Sequence, residues 1–233
     1  IRVWDLEKNY AHVRTLEGQT GWLFGVKALA VSGSKLSSGS GDKTIRVWDL
    51  DKNYAHVKTL EGHTNKVSAL AVSGSKLFSG SYDETIRVWG PQDEQKEHSV
   101  PGWQYPPVPT WNPNPAKLHE VHKIEYKSSW WWGLTEGHTD SVDALAVSGS
   151  KLFSGSGDHT IRVWDLEKNY AHVKTLEGHT TWVYALAVSG SKLFSAGGFA
   201  LLWGGDFGIR VWDLGKNYAH VKTLEGHTCW GVF

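Results

Sequence analysis

Residues 135–176 read TEGHTDSVDALAVSGSKLFSGSGDHTIRVWDLEKNYAHVKTL, and variants of this stretch recur before and after it. It divides into four short runs rich in β-branched and aromatic residues: Ser141–Val147, Lys151–Ser156, Thr160–Leu166 and Tyr170–Leu176. The separators are Ser148-Gly149-Ser150, Gly157-Asp158-His159 and Glu167-Lys168-Asn169. Runs of this length between Gly, Ser, Asp and Asn clusters predict four antiparallel strands. Four such strands form a small sheet that is apolar on both faces, so each sheet must stack on copies of itself.

The Trp of each Val-Trp pair falls at positions 4, 48, 89, 164 and 212, which sets a base period near 41. The long interval between Trp89 and Trp164 is one period plus inserted sequence, because no further GH or VW lies inside it. The boundaries are then a partial unit at 1–14, units at 15–58 and 59–89, an insertion at 90–134, units at 135–174 and 175–222, and a partial unit at 223–233. The 175–222 unit carries seven extra residues in its second turn, within Ser195–Gly208. The unit at 15–58 has Gln19 in place of the GH histidine and three extra residues around Leu23-Phe24-Gly25.

GHT, then SGSGD, then TIRVWD at this period resembles the WD-repeat family, and the likeness extends over most of the chain. The short SGSKLFSGS second strand is closest in flavour to propellers attached to zinc-finger, kinase or ubiquitin-ligase modules. The resemblance implies an all-β propeller of four-stranded antiparallel blades, here four full blades and an incomplete fifth formed from both termini. It also implies a hydrogen-bonded tetrad in each blade: His63, Ser79, Asp83 and Trp89; His138, Ser154, Asp158 and Trp164; His179, Ser195, Asp206 and Trp212. The first full blade offers Ser38, Asp42 and Trp48, with Gln19 as a weaker substitute. A Ser–His–Asp set also suggests hydrolysis, but a catalytic triad occurs once, whereas this set repeats at fixed offsets. Buried imidazole and indole groups need partners in any case. No enzyme is expected.

Among 233 residues, Lys+Arg and Asp+Glu both number 24, and no long basic run stands out. That argues against nucleic acid or an anionic membrane surface as partner. The single cysteine excludes an internal disulfide framework. No secretory pattern and no apolar run of spanning length is present. The expectation is a cytoplasmic or nuclear protein without cofactor or metal. His119-Glu120-Val121-His122 falls one residue short of the zinc motif, and in a strand its two histidines face opposite ways. With no Met and an opening inside a repeat, the chain reads as part of a longer one.

Function is sought where the copies differ. They agree in ALAVSGSKL, TIRVW and KNYAHVKTL, and diverge at the start of the first strand and at the second turn. The divergent positions are Trp22, Lys66, Ser68, Tyr82, Ser141, Asp143, His159, Trp182, Tyr184 and Trp230. In the family these regions share one rim, and a constant scaffold with one variable rim is the pattern of an interaction surface. The expected partners are other proteins or peptides, anchored on aromatic residues. Two alternatives stand beside this: a carbohydrate-binding propeller with Trp-lined pockets, and a regulatory or substrate-recruiting propeller cut from a larger kinase or ubiquitin-ligase chain.

The insertion 90–134 holds six prolines between 101 and 115, which exclude regular structure there, and Val121–Tyr126 is the candidate for the missing fourth strand. The N-terminus offers third and fourth strands and the C-terminus a first, so a second strand is lacking. A five-bladed ring-like arrangement is expected, with the uncovered edge open to self-association.

Overall fold

The structure, a computed structural model, describes residues 1–19, 25–91, 118–125, 127–128, 135–198 and 208–225. Four four-stranded antiparallel sheets follow one another. The first comprises β3 (Val26–Ser32), β4 (Lys35–Ser40), β5 (Ile45–Asp49) and β6 (Ala55–Leu60). The second comprises β7 (Val67–Ser73), β8 (Lys76–Ser81), β9 (Ile86–Gly90) and β10 (His119–Ile124). The third comprises β13 (Val142–Ser148), β14 (Lys151–Ser156), β15 (Ile161–Asp165) and β16 (Ala171–Leu176). The fourth comprises β17 (Val183–Ser189), β18 (Lys192–Gly197), β19 (Ile209–Asp213) and β20 (Ala219–Leu224). Before them stands a two-stranded half-sheet, β1 (Arg2–Asp5) with β2 (Ala11–Thr15), and β11 (Lys127–Ser128) pairs with β12 (Thr135–Glu136).

The strands lie within a residue or two of those read from the sequence. The fourth strand of the third sheet starts at Ala171 rather than Tyr170, because Asn169 and Tyr170 both take left-handed backbone (φ 50 and 61). The preceding aspartate sets this turn. Asp165 Oδ1 accepts the amides of Glu167 and Lys168, as Asp49 accepts those of Asp51 and Lys52. Gly90 has no carboxylate to do this. There the chain departs into the insertion, and β10 returns to pair with β9. The replacement strand is therefore His119–Ile124, close to the expected 121–126; Tyr126 and most of the insertion lie outside the described residues.

The core sits between successive sheets. Leu70 and Val72 pack against Ile45 and Val47 of the sheet before. Leu145 and Val147 pack against Phe78 and Val88, and Leu186 and Val188 against Phe153 and Val163. Close approach depends on one glycine in each of the first three sheets: a Cβ on Gly155 would lie 2.6 Å from Val183 Cγ1, and one on Gly80 equally near Val142 Cγ1. Each buried side chain contributes about 1.5–3 kcal/mol, and no sheet could bury both faces alone. At one end the half-sheet β1–β2 covers Leu36 and Trp48 of the first sheet. Residues 226–233, on which ring closure depends, lie outside the described residues.

Candidate functional site

Three sheets carry the same polar chain at one end. In the third, His138 Nδ1–H donates to Asp158 Oδ2 (2.8 Å), Ser154 Oγ–H donates to His138 Nε2 (2.7 Å), and Trp164 Nε1–H donates to Ser154 Oγ (2.8 Å). His63, Asp83, Ser79 and Trp89 repeat these distances. His179, Ser195 and Trp212 repeat the inner two bonds, while Asp206 lies outside the described residues. In the first sheet Gln19 Oε1 accepts from Ser38 Oγ–H (2.9 Å) and Trp48 Nε1–H donates to Ser38 Oγ (3.0 Å). The Gln19 amide nitrogen turns to the Ser38 carbonyl.

Burial alone would raise the Asp158 carboxyl. The hydrogen bond and charge of His138, with the contacts from Thr160, outweigh it and hold Asp158 well below the ordinary carboxylate range. Burial pushes His138 down, against the pull of Asp158. The favoured state is thus a neutral imidazole donating to a carboxylate, with Ser154 Oγ–H committed to Nε2 and its lone pair to Trp164. No proton acceptor is left for a substrate. Seryl oxygens 79, 154 and 195 are buried, so the sets hold the sheets together rather than face a cleft. Among the described residues no group of three or more metal-ligating side chains assembles.

The variable positions behave differently. In the first three sheets the start of the first strand is hydrogen-bonded to the second turn: Gly41 N–H donates to the Gly25 carbonyl, Tyr82 N–H to the Lys66 carbonyl and Gly157 N–H to the Ser141 carbonyl. That links the two divergent regions of the repeat on one rim. There Lys66, Ser68, Tyr82, Asp143 and Tyr184 line a single cavity of about 250 Å³ with Lys27. Ser68, Asp143 and Tyr184 each follow the buried first-strand valine (Val67, Val142, Val183), and Lys27 follows Val26 in the same register. One side chain from each of four successive sheets therefore meets in one hollow.

Its electrostatics are mixed. Lys66 Nζ sits 3.4 Å from the Tyr82 ring centroid. Ser141 Oγ–H donates to Asp143 Oδ2 (2.7 Å), and the Tyr82 ring shares the hollow with that carboxylate. Burial nonetheless pushes the Asp143 carboxyl up, aided by Asp140, against that donor and Lys66. Burial also lowers Lys66, with Lys27 adding to the effect and Asp143 opposing it. Tyr184 is raised by burial and by the two aspartates. Two ammonium groups thus lie towards the first and second sheets and two carboxyls in the third, with aromatic rings between and beyond them.

Of the residues singled out in the sequence, Lys66, Ser68, Tyr82, Asp143 and Tyr184 come together here. Trp182 stands beside Tyr184 (ring centroids 5.7 Å apart) and is exposed. Ser141 is 3 % exposed, so it corrects the expectation of direct contact: it positions Asp143 and reaches no partner. His159 is exposed at the tip of the second turn in left-handed backbone (φ 69), away from the cavity lining. Trp22 and Trp230 lie outside the described residues. Lys27 was missed because the extra residues at 23–25 disturb counting forward from GxT; counting back from ALAV would have found it. A second hollow, about 320 Å³, lies between β10 and the third sheet, lined partly by 168–172, a stretch whose pattern recurs in the other copies.

Comparison with known proteins agrees with this architecture. The family model described as "WD domain, G-beta repeat" matches residues 10–49, 55–90, 133–165 and 171–213, more than half of the chain. Cell division control protein 4 of Candida albicans is 31% identical over 71 residues, which is 30% of this chain and 10% of that protein. The computationally designed Ika8 protein is 26% identical with a TM-score of 0.61, over 87% of this chain and 49% of that one. U3-55K is 23% identical with a TM-score of 0.67, over 92% and 55%. The last shows the fold alone. The chain spans about half the length of these solved chains and a tenth of the curated relative. The repeats, the stacked four-stranded sheets and the matched family model together make this chain a member of the WD40 repeat family.

Proposed function

We propose that the protein is a non-enzymatic platform that captures other proteins or peptides on the rim bearing Lys27, Lys66, Tyr82, Asp143, Trp182 and Tyr184. One observation carries this reading. The residue that follows the first-strand valine is different in all four sheets, yet all four converge on one cavity, while the Ala-Leu-Ala-Val that follows is unchanged. A framework role would have kept those positions alike. WD40 propellers as a class serve as interaction scaffolds, and the exposed Trp182–Tyr184 pair is the kind of anchor that dominates interface energy.

The fitting partner is an extended segment that carries an acidic group for Lys27 and Lys66 and a basic group for Asp140 and Asp143, spaced by an apolar residue over Tyr184. The carbohydrate reading needs exposed indole faces. Among the described tryptophans only Trp4 and Trp182 offer one, and the four in sheet cores donate to serine. Selection of the purified protein against a random-peptide display library tests the proposal. The wild type should enrich a consensus carrying both charges, and the Asp143→Asn/Tyr184→Ala double variant should lose it while keeping the far-UV spectrum. An unchanged consensus would refute the assignment.

A further inference from the structure

Two facing positions of the second sheet depart from the repeat together. Tyr82 stands where the first and third sheets have Gly41 and Gly157, and Lys66 stands where they have Gly25 and Ser141. The backbone contact between these positions is the same in all three sheets, with the turn amide donating to the carbonyl at the start of the first strand. The fold therefore requires neither side chain. In the third sheet the place of the ring is already filled, since a Cβ on Gly157 would lie 2.9 Å from Asp140 Cγ and Ser141 Oγ. Lys66 Nζ lies 3.4 Å from the Tyr82 ring centroid, and both residues share their hollow with Asp143 of the third sheet.

These three parts are held with unequal firmness. Asn65 Nδ2–H donates to the Tyr82 carbonyl (3.3 Å) and Tyr82 N–H to the Lys66 carbonyl, so the ring stands on a doubly tied backbone. Ser141 Oγ–H holds Asp143 Oδ2, and Ser68 Oγ–H donates to the Val142 carbonyl, joining the second and third sheets beside the hollow. Burial and the charge of Asp143 push the Tyr82 hydroxyl up, and the charge of Asp140 reaches it as well. The Lys66 ammonium, by contrast, rides on a flexible four-carbon stem. Ring and carboxylate thus make a fixed seat for a cation, and a movable cation of the same chain sits in it.

We propose, on the reading of the rim as an interaction surface, that Lys66 is a built-in stand-in ligand and that the partner's basic group is an arginine, which displaces Lys66 from Tyr82 and pairs with Asp143. A guanidinium is planar and less hydrated than an ammonium, stacks on an aromatic face and meets a carboxylate through two parallel N–H bonds. An incoming lysine would only replace like with like. One cation enters as the other leaves, so the half-buried carboxylate is never left without a counter-charge. The released Lys66 is then free to meet the partner's acidic group, which couples the two charges of the recognised segment.

The probes are N-acetyl-argininamide and N-acetyl-lysinamide, titrated into the full chain while NMR follows the Lys66 ε-methylene protons, which the Tyr82 ring current holds upfield. Argininamide should saturate with a Kd of about 1–10 mM and return those protons to the position of a solvated lysine. Lysinamide should bind about fivefold more weakly, lacking the planar fork. Lys66→Ser, which copies the third sheet, removes the internal competitor and should tighten argininamide about fivefold. Lys27→Ser removes the same charge from the first sheet and should tighten it by less than half as much. Tyr82→Gly, which copies the first and third sheets, should abolish binding with an unchanged far-UV spectrum. Saturation with the Lys66 protons unmoved, equal affinity for the two probes, or equal gains from Lys66→Ser and Lys27→Ser would overturn the displacement and leave the platform standing. Absence of saturation at tens of millimolar argininamide would overturn the arginine seat, and the display selection decides the platform separately.

Discussion

Lys76 Nζ donates to Tyr170 Oη across 2.6 Å, a bond between the second and third sheets that the repeat by itself would not make. In the other sheets the equivalent lysine pairs with the turn aspartate: Lys35 with Asp49, Lys151 with Asp165, Lys192 with Asp213. Gly90 removes that aspartate from the second sheet, and Lys76 turns to the neighbouring sheet instead. Tyr170 is drawn in with it. It is 7% exposed, whereas its counterparts Tyr54 and Tyr218 are half-buried, and it stacks on His122 of the substitute strand. The insertion thus changes a contact as well as a loop.

Restoring the aspartate should undo this. A Cβ on Gly90 meets nothing nearer than 3.5 Å, so Gly90→Asp is sterically admissible. The carboxylate should recapture Lys76 and leave the Tyr170 hydroxyl to water. Tyrosine fluorescence quenching or exchange at residues 168–172 should report the exposure. Tyr170→Phe should cost about 1 kcal/mol in the wild type and close to nothing in the Gly90→Asp background. Equal costs in both would separate the two residues.

The sheet-to-sheet spacing predicts an asymmetric response to one methyl group. Gly155→Ala puts a Cβ 2.6 Å from Val183 and about 3.0 Å from its backbone oxygen, so the third and fourth sheets must shift apart. Overpacking of this kind costs about 1–3 kcal/mol, and denaturant melts should show it as a lower midpoint. Ala196→Gly, at the same repeat position, removes a methyl group instead of adding one and should change stability by less than about 1 kcal/mol, the usual cost of glycine in a strand.

The four-strand unit and its boundaries were legible because period-two alternation, Gly/Ser turns and the Val-Trp spacing all report local backbone geometry. The tetrads were legible through the family pattern, since four residues at fixed offsets must meet once the strands pair. The rim was legible only as a list of differences: nothing local says that Lys66 stacks on Tyr82 of its own sheet while Asp143 of the next sheet lines the same hollow. Ser141 was singled out because the copies differ there, yet its hydroxyl is buried against the carboxylate two residues on. Lys76–Tyr170 was beyond reach, because it arises from a missing aspartate in one copy and a tyrosine in another.

Gln19 marks a place where stability can be gained. Its amide reproduces one histidine bond, to Ser38, and spends the other on the Ser38 carbonyl. Asp42 meanwhile accepts from the Thr44 amide and hydroxyl, as Asp83 and Asp158 do from Thr85 and Thr160. Gln19→His would let one ring bridge Ser38 and Asp42 in the manner of His63 and His138. The expected gain is about 0.5–1.5 kcal/mol, the net worth of one intramolecular hydrogen bond, read as a higher denaturation midpoint with unchanged slope. A loss of stability would mean that the first sheet cannot close around a histidine.

The same network fixes the direction of acid sensitivity. His138 is depressed by burial, so between about pH 7 and 5 the unfolded chain, with an ordinary imidazole near 6.5, takes up a proton that the folded chain refuses. Stability therefore falls as pH falls through that window. Asp83 and Asp158 are also depressed: burial opposes ionisation, but the histidine and threonine contacts outweigh it. Their stabilisation is complete above the unfolded carboxylate value near 3.9 and is lost as pH drops below about 4. Two successive declines should appear in melts at pH 7.5, 5.5 and 3.5. His138→Gln should be less stable at every pH and should flatten the first decline relative to the wild type, since every other histidine is present in both proteins. If the first decline kept its slope in that variant, His138 would not be the neutral, buried link that the geometry makes it.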